Sequence, residues 1–249
     1  MKKRDAYRQA LKKLENWDSL IVTESGLPGP RGNIELAQAV ADEGTAQLFE
    51  LYASFDPTQA PENSPHVMLV ASGFIGFGQL VAEGKRKYLK QLRLGASDPR
   101  WRVREAVAMA LQRVGEGNME LLLDEMGKWS KGNLLEQRAA AAALCGPALL
   151  HEHKHVKRAL TILDGITSRI LRIQARKKVE FKALRQGLGY CWSVAVAAHP
   201  VQGKKMMEKW FSSPDPDIVW IMRENLKKGR LKRMDAKWVN HWQARLDSA

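Results

Sequence analysis

Apolar residues recur every three or four positions along the chain, and nowhere does the two-residue alternation of a strand persist. Residues 5–16 form the first such run, with Tyr7, Ala10, Leu11 and Leu14 on one side. A turn-rich stretch follows, Ser25-Gly26-Leu27-Pro28-Gly29-Pro30-Arg31-Gly32-Asn33. Asn33 is expected to cap a helix carrying Ile34, Leu36, Ala37, Val40 and Ala41. A helix over 46–55 stops at Asp56-Pro57, and residues 56–65, with three prolines, read as a loop. Residues 67–83 are apolar almost all round, which predicts a buried helix. Gly73, Gly76 and Gly78 within it lack the Gly-x-Gly-x-x-Gly spacing of a phosphate loop, and no strand precedes them. They read as points where neighbouring helices come close. Further helices are expected at 85–94, from Asp98 onward, and at 119–129, 133–150 (interrupted at Gly146-Pro147), 156–174, 181–198, 201–211, 218–227 and 236–246. The chain is therefore expected to be all-α.

One pattern recurs. Asp98-Pro99-Arg100-Trp101-Arg102-Val103-Arg104-Glu105 is echoed by Asp217-Ile218-Val219-Trp220-Ile221-Met222-Arg223-Glu224, with Asp six and Trp three residues before an Arg-Glu pair. Aligned on that Arg, copies fall at Arg104, Arg138, Arg185 and Arg223, at steps of 34, 47 and 38 residues. A step of 34 backward reaches Val70, in a helix of matching apolar character. Such spacing brackets the roughly 40-residue period of stacked helix pairs. A pair cannot bury its apolar face alone, so pairs stack into an α-α superhelix, here of about five or six units. Residues 1–249 are read as one repeat domain, with 1–64 a less regular N-terminal cap and 65–246 the clearest repeats.

The Asp-Pro…Val-Arg-Glu-Ala-x-x-x-Ala-Leu pattern of Asp98–Leu111 resembles the second helix of a HEAT repeat. The wider chain, through Trp220-Ile221-Met222-Arg223-Glu224-Asn225-Leu226-Lys227-Lys228, resembles uncharacterised bacterial HEAT-repeat proteins. That resemblance implies that Asp98, Arg104, Asp217 and Arg223 form a structural ladder between adjacent units. More distantly the chain resembles the HEAT-like alkylpurine DNA glycosylases of the alkylation-repair family. The Trp-Trp-Asp-x-x-Asp signature of that family has no match here, and Tyr190 stands where one of its helices carries Trp.

Charge shifts attention to the second half. Residues 1–124 hold 16 Lys+Arg and 16 Asp+Glu, whereas residues 125–249 hold 24 and 11, so the whole net charge of +13 lies there. A polyanionic partner follows from such an excess. The expected nucleic-acid-binding residues are Arg169, Arg172 and Arg176, spaced for one helical face, with Lys177, Lys178, Lys182, Lys204, Lys205, Lys227, Lys228, Arg230, Lys232 and Arg233. Trp101, Tyr190, Trp192 and Trp220 are the aromatic residues suited to stacking on bases.

The leading expectation is a non-enzymatic scaffold that binds nucleic acid. The alternatives are an adaptor gripping an acidic protein and a divergent DNA glycosylase. No catalytic set emerges, since neither a Gly-x-Ser-x-Gly elbow nor a Walker loop occurs. No cofactor is implied. His151 and His155 would share a helical face that His153 leaves, so three local metal ligands do not converge. Cys145 and Cys191 lie in apolar helical patterns and read as buried thiols of a reducing compartment. No apolar run follows Met1-Lys2-Lys3-Arg4, and the uncharged stretch 67–82 is shorter than the roughly 20 residues of a membrane span. A cytoplasmic protein, with no membrane partner, is expected.

Overall fold

The computed structural model describes residues 3–247, and among them are fifteen α-helices and no strand. Met1 and Lys2, the start of the basic N-terminal run, lie outside the described residues. Contacts divide the chain into two compact units, Met1–Asn118 and Met119–Ala249.

The first unit contains α1 (Lys3–Leu11), α2 (Asp18–Thr23), α3 (Ile34–Glu43), α4 (Ala46–Ser54), α5 (Val67–Ala82), α6 (Leu89–Gly95) and α7 (Trp101–Gly117). Asn33 caps α3 as expected, its side chain accepting from Leu36 N. α5 is the axis of the unit. It packs against α2, α3, α4, α6 and α7, which is why 14 of its 16 residues are buried. Its glycines permit that crowding. A Cβ on Gly73 would lie 2.8 Å from Ala53 N and Phe49 O, one on Gly76 would strike the Phe49 ring, and one on Gly78 would strike the backbone of Ala110 in α7.

Two arginine clusters hold the rest in place. Arg113 of α7, only 7% exposed, donates to Gln38 Oε1 (2.7 Å), Gln38 O (2.9 Å), Asp42 Oδ1 (2.8 Å) and Gln79 Oε1 (2.8 Å). Arg4 of α1 grips both oxygens of the same Asp42, so one carboxylate ties α1, α3 and α7 together. The second cluster is the opening of the repeated motif. Arg100 pairs with Asp98 and donates from Nη1 to Phe55 O and Ala60 O, and Arg102 donates to Glu62 O and Gly29 O. Arg104 donates back to Asp98 O and Pro99 O. The proline-rich loop after α4 is thereby fastened to the start of α7.

The second unit contains α8 (Met119–Trp129), α9 (Leu134–Leu144), α10 (His153–Ile170), α11 (Val179–Ala198), α12 (Pro200–Phe211), α13 (Pro216–Leu226), α14 (Gly229–Met234) and α15 (Ala236–Asp247). Consecutive helices pair off. The first members α8, α10 and α12 touch in sequence, and so do the second members α9, α11, α13 and α15. Arg138, Arg185 and Arg223 fall on successive second members, in line with the periodicity of the sequence. Across one step Arg185 donates to Asp217 Oδ1 at 2.5 Å, joining the motif Arg of α11 to the motif Asp of α13. Arg223 continues toward α15 and donates to Leu246 O. In the core, Trp192 Nε1 donates to Thr167 Oγ1, and the buried Asn225 amide accepts from Ser193 N and donates to Leu188 O and Ile221 O. A buried amide with all three bonds made fixes how α13 is set along α11.

Three local features depart from the periodicity. α2 and α14, six residues each, have no counterpart among the expected helices. The expected helix over 156–174 ends at Ile170. The Ala-dense run ends at Leu144 rather than resuming after Gly146-Pro147.

Candidate nucleic-acid interface of the second unit

On α11, Lys182, Arg185, Gln186, Gly189 and Tyr190 fall at i, i+3, i+4, i+7 and i+8 and share one face. On α13, Asp217, Trp220 and Glu224 fall at i, i+3 and i+7 and likewise share one face, and Lys227 follows as the C-cap. Gly189 is what brings the two faces into one surface. A Cβ there would lie 3.2 Å from the Trp220 ring and from Glu224 Cβ, so the bare backbone lets the indole lie across α11. The Arg185 guanidinium covers that indole at 4.1 Å from the ring centre while bonding Asp217. A second stack stands beside it. Arg230 of α14 lies 4.5 Å over the Tyr190 ring and donates to its hydroxyl at 2.5 Å. Tyr190 is 42% exposed. Cations preset over aromatic faces of this kind suit planar, anionic partners.

The same unit carries unpaired cations. Arg169, Arg172, Lys177, Lys178 and Lys182 are exposed, cluster about the turn from α10 into α11, and have no carboxylate within 4 Å among the described residues. Lys232 and Arg233 on α14 are exposed and likewise unpaired. The remaining nominated lysines are engaged, Lys205 excepted. Lys204 pairs with Asp235 at 2.9 Å, Lys227 with Glu224 at 2.5 Å and Lys228 with Glu224 at 3.9 Å, while Lys205 of α12 is exposed.

Three of the residues nominated from sequence belong elsewhere. Because α10 ends at Ile170, Arg169, Arg172 and Arg176 do not share a helical face. Arg176 turns inward, donating to Ile170 O and Ile173 O at the end of α10, to both oxygens of Asp215 and to Asp217. It is a staple whose donors are spent on the protein. Trp192 is fully buried with its N–H on Thr167, so no ring face remains for a base. Trp101 belongs to the first unit, where it carries Arg102 at 4.4 Å from its ring centre, as Tyr190 carries Arg230.

Asp215 has two structural roles. It accepts from Asp217 N and Ile218 N as the cap of α13, and both its oxygens receive Arg176. The Arg176 hydrogen bonds hold its carboxyl below the usual range, reinforced by the backbone donors against the opposing effect of burial. A depressed folded pKa means stability that is present above the unfolded value near 4 and is lost as pH falls through the folded one. Asp215→Ala is accordingly expected to cost about 2–3 kcal/mol at pH 7. Urea unfolding at pH 7 and pH 3 checks this, the gap from wild type narrowing at the lower pH.

The histidines do not assemble a metal site. His155 is buried against Glu120 at 3.0 Å, His153 stacks on His199 at 4.4 Å, and among the described residues no group of three His, Cys, Asp or Glu is placed to hold a metal ion. No helix among the described residues is long and apolar enough to cross a membrane. No protein-family model matches the chain, and comparison with curated proteins likewise yields no match.

Proposed function

We propose that the protein is a HEAT-like α-α scaffold that binds nucleic acid through residues of its second unit, without catalysing a reaction. The observation that carries this reading is the set Arg169, Arg172, Lys177, Lys178 and Lys182, exposed and unneutralised about the turn from α10 into α11, the helix that also carries the exposed Tyr190. Elsewhere in the unit, long basic side chains are repeatedly matched to acids, as Arg158 is to Glu120 and Asp124, and Lys209 to Asp164. Leaving one turn unmatched keeps a local positive potential that phosphates neutralise with release of counterions. Within the second unit Tyr190 is 42% exposed, and an accessible aromatic ring favours a single strand over a duplex, because unpaired bases offer faces to stack on it. Cys145 and Cys191 are buried in contact with each other as free thiols, which agrees with a reducing, cytoplasmic setting.

Fluorescence anisotropy of a labelled single-stranded oligonucleotide across a salt series tests the proposal. Binding is expected to weaken steeply with salt, each phosphate contact contributing about 0.7 to the log–log slope. The variant R169A/R172A/K177A/K178A/K182A flattens that slope, and Tyr190→Ala weakens binding by roughly tenfold without changing it. Absence of binding to single strand and duplex at low salt sinks the proposal.

A further inference from the structure

The first unit has a half-open cavity of about 400 Å³ at the meeting of α3, α5, α7 and the loop before α3. Its walls are mostly apolar. Met68, Ala71 and Ile75 come from successive turns of α5, Met109 from α7, and Ile34, itself 49% exposed, stands at α3. The volume lies within the usual range for small-molecule sites, and flexible methionines let such a wall adapt to its occupant.

Two guanidinium groups break the apolar lining. Arg102 is 8% exposed, yet no carboxylate lies within 4 Å of it among the described residues. Its Nε and Nη2 are spent on Glu62 O and Gly29 O, its plane lies over Trp101, and its Nη1 has no acceptor in the protein. The carboxylate of Glu62 accepts from Trp101 N at 2.7 Å instead of pairing with it. Arg31, exposed on the loop, is likewise without an acid. Glu105, on the same wall, is engaged in a contact of its own. Nη1 is not among the buried atoms that lack a partner, so it meets solvent and is free to take an anionic acceptor, while the rest of the guanidinium is solvated only by carbonyl dipoles, which recover part of what water supplies.

We propose that this cavity binds a small amphipathic monoanion, an aliphatic or aromatic body ending in a carboxylate. The body lies among Met68, Ile75 and Met109, and the carboxylate accepts from Arg102 Nη1 and meets Arg31 at the mouth. The site is independent of the nucleic-acid surface, since it uses no residue of the second unit.

Isothermal titration of the full chain with decanoate, 2-naphthoate and decanol tests the proposal. Decanoate or 2-naphthoate is expected to bind at least tenfold tighter than decanol, the charge-assisted hydrogen bond making the difference. Arg31→Glu, an exposed substitution, weakens the acids roughly tenfold and leaves decanol unchanged. Ala71→Leu, which narrows the cavity, weakens all three. Because Arg102 also holds two loops, Arg102→Met is read only alongside circular dichroism showing an intact fold, and then abolishes the preference for acids. Equal affinity for decanoate and decanol, or no binding of either acid up to its solubility limit, overturns the proposal.

Discussion

Arg113→Met is expected to lower the unfolding free energy by about 3–5 kcal/mol, a large part of the 5–15 kcal/mol typical of a folded protein. The side chain is 7% exposed and spends its donors on Gln38, Gln79 and Asp42. Methionine keeps the apolar stem but leaves the Gln38 carbonyl and the Gln79 amide without those donors, and an unmet buried acceptor costs more than the bond itself contributes. Burial disfavours both charges of the Arg113–Asp42 pair. At Asp42 the hydrogen bonds from Arg4 and Arg113 outweigh that burial and hold the carboxyl below its ordinary value. Its contribution is therefore complete above about pH 4 and fades as acid protonates it. The urea midpoint at pH 7 checks the prediction, with a fall of roughly 1–5 M expected for slopes of about 1–3 kcal/mol per molar. A loss below about 1 kcal/mol shows that the cluster merely replaces solvation by water.

Gly78→Val is expected to be at least as damaging, by another route. The new Cβ would enter the backbone of Ala110, with Cα at 2.6 Å and the carbonyl carbon at 2.7 Å. A backbone cannot turn aside as a side-chain tip does, so α5 and α7 must separate and expose the faces they bury. Overpacking of this kind costs about 3 kcal/mol or more. Gly165→Ala is the matched comparison. It also places a methyl group on a helical glycine, but nothing lies within 4 Å of its Cβ, and its site is exposed. That substitution is expected to raise stability by about 0.5–1 kcal/mol. Thermal unfolding of both variants separates steric conflict from helix propensity, and a Gly78→Val protein as stable as wild type refutes the close approach.

The helical class, the burial of α5 and the role of its glycines were legible because each is a local consequence of composition and spacing. The alternation of helix pairs was legible through the Arg spacing, since Arg138, Arg185 and Arg223 do fall on successive second members. The end of α10 was not. Ile173 continues the apolar stripe of Ile162, Ile166 and Ile170, so periodicity carries the helix onward. The chain is stopped by Arg176 taking the carbonyls of Ile170 and Ile173 while bound to Asp215, 39 residues away. α2 and α14 are too short for a period to emerge, and α14 was masked by its run of cations. Within the candidate surface, Tyr190 and Trp192 illustrate a signal that was available. Two residues apart on a helix, they must face nearly opposite ways, and one is 42% exposed while the other is enclosed. The stacking of Arg185 on Trp220 had no such signal, because it depends on how α13 crosses Gly189.

The placement of α5 has a consequence for the order in which the protein takes shape. An almost wholly apolar helix is synthesised before one of its principal partners, α7, which is completed only at Gly117. For roughly thirty-five further residues, a few seconds at ordinary elongation rates, the growing chain presents a hydrophobic rod with one flank uncovered. Three glycines within it weaken its helical propensity during that interval. The feature that makes the finished unit tight thus makes the unfinished chain dependent on prompt arrival of the α7 segment, and a fragment ending before it carries an exposed adhesive surface.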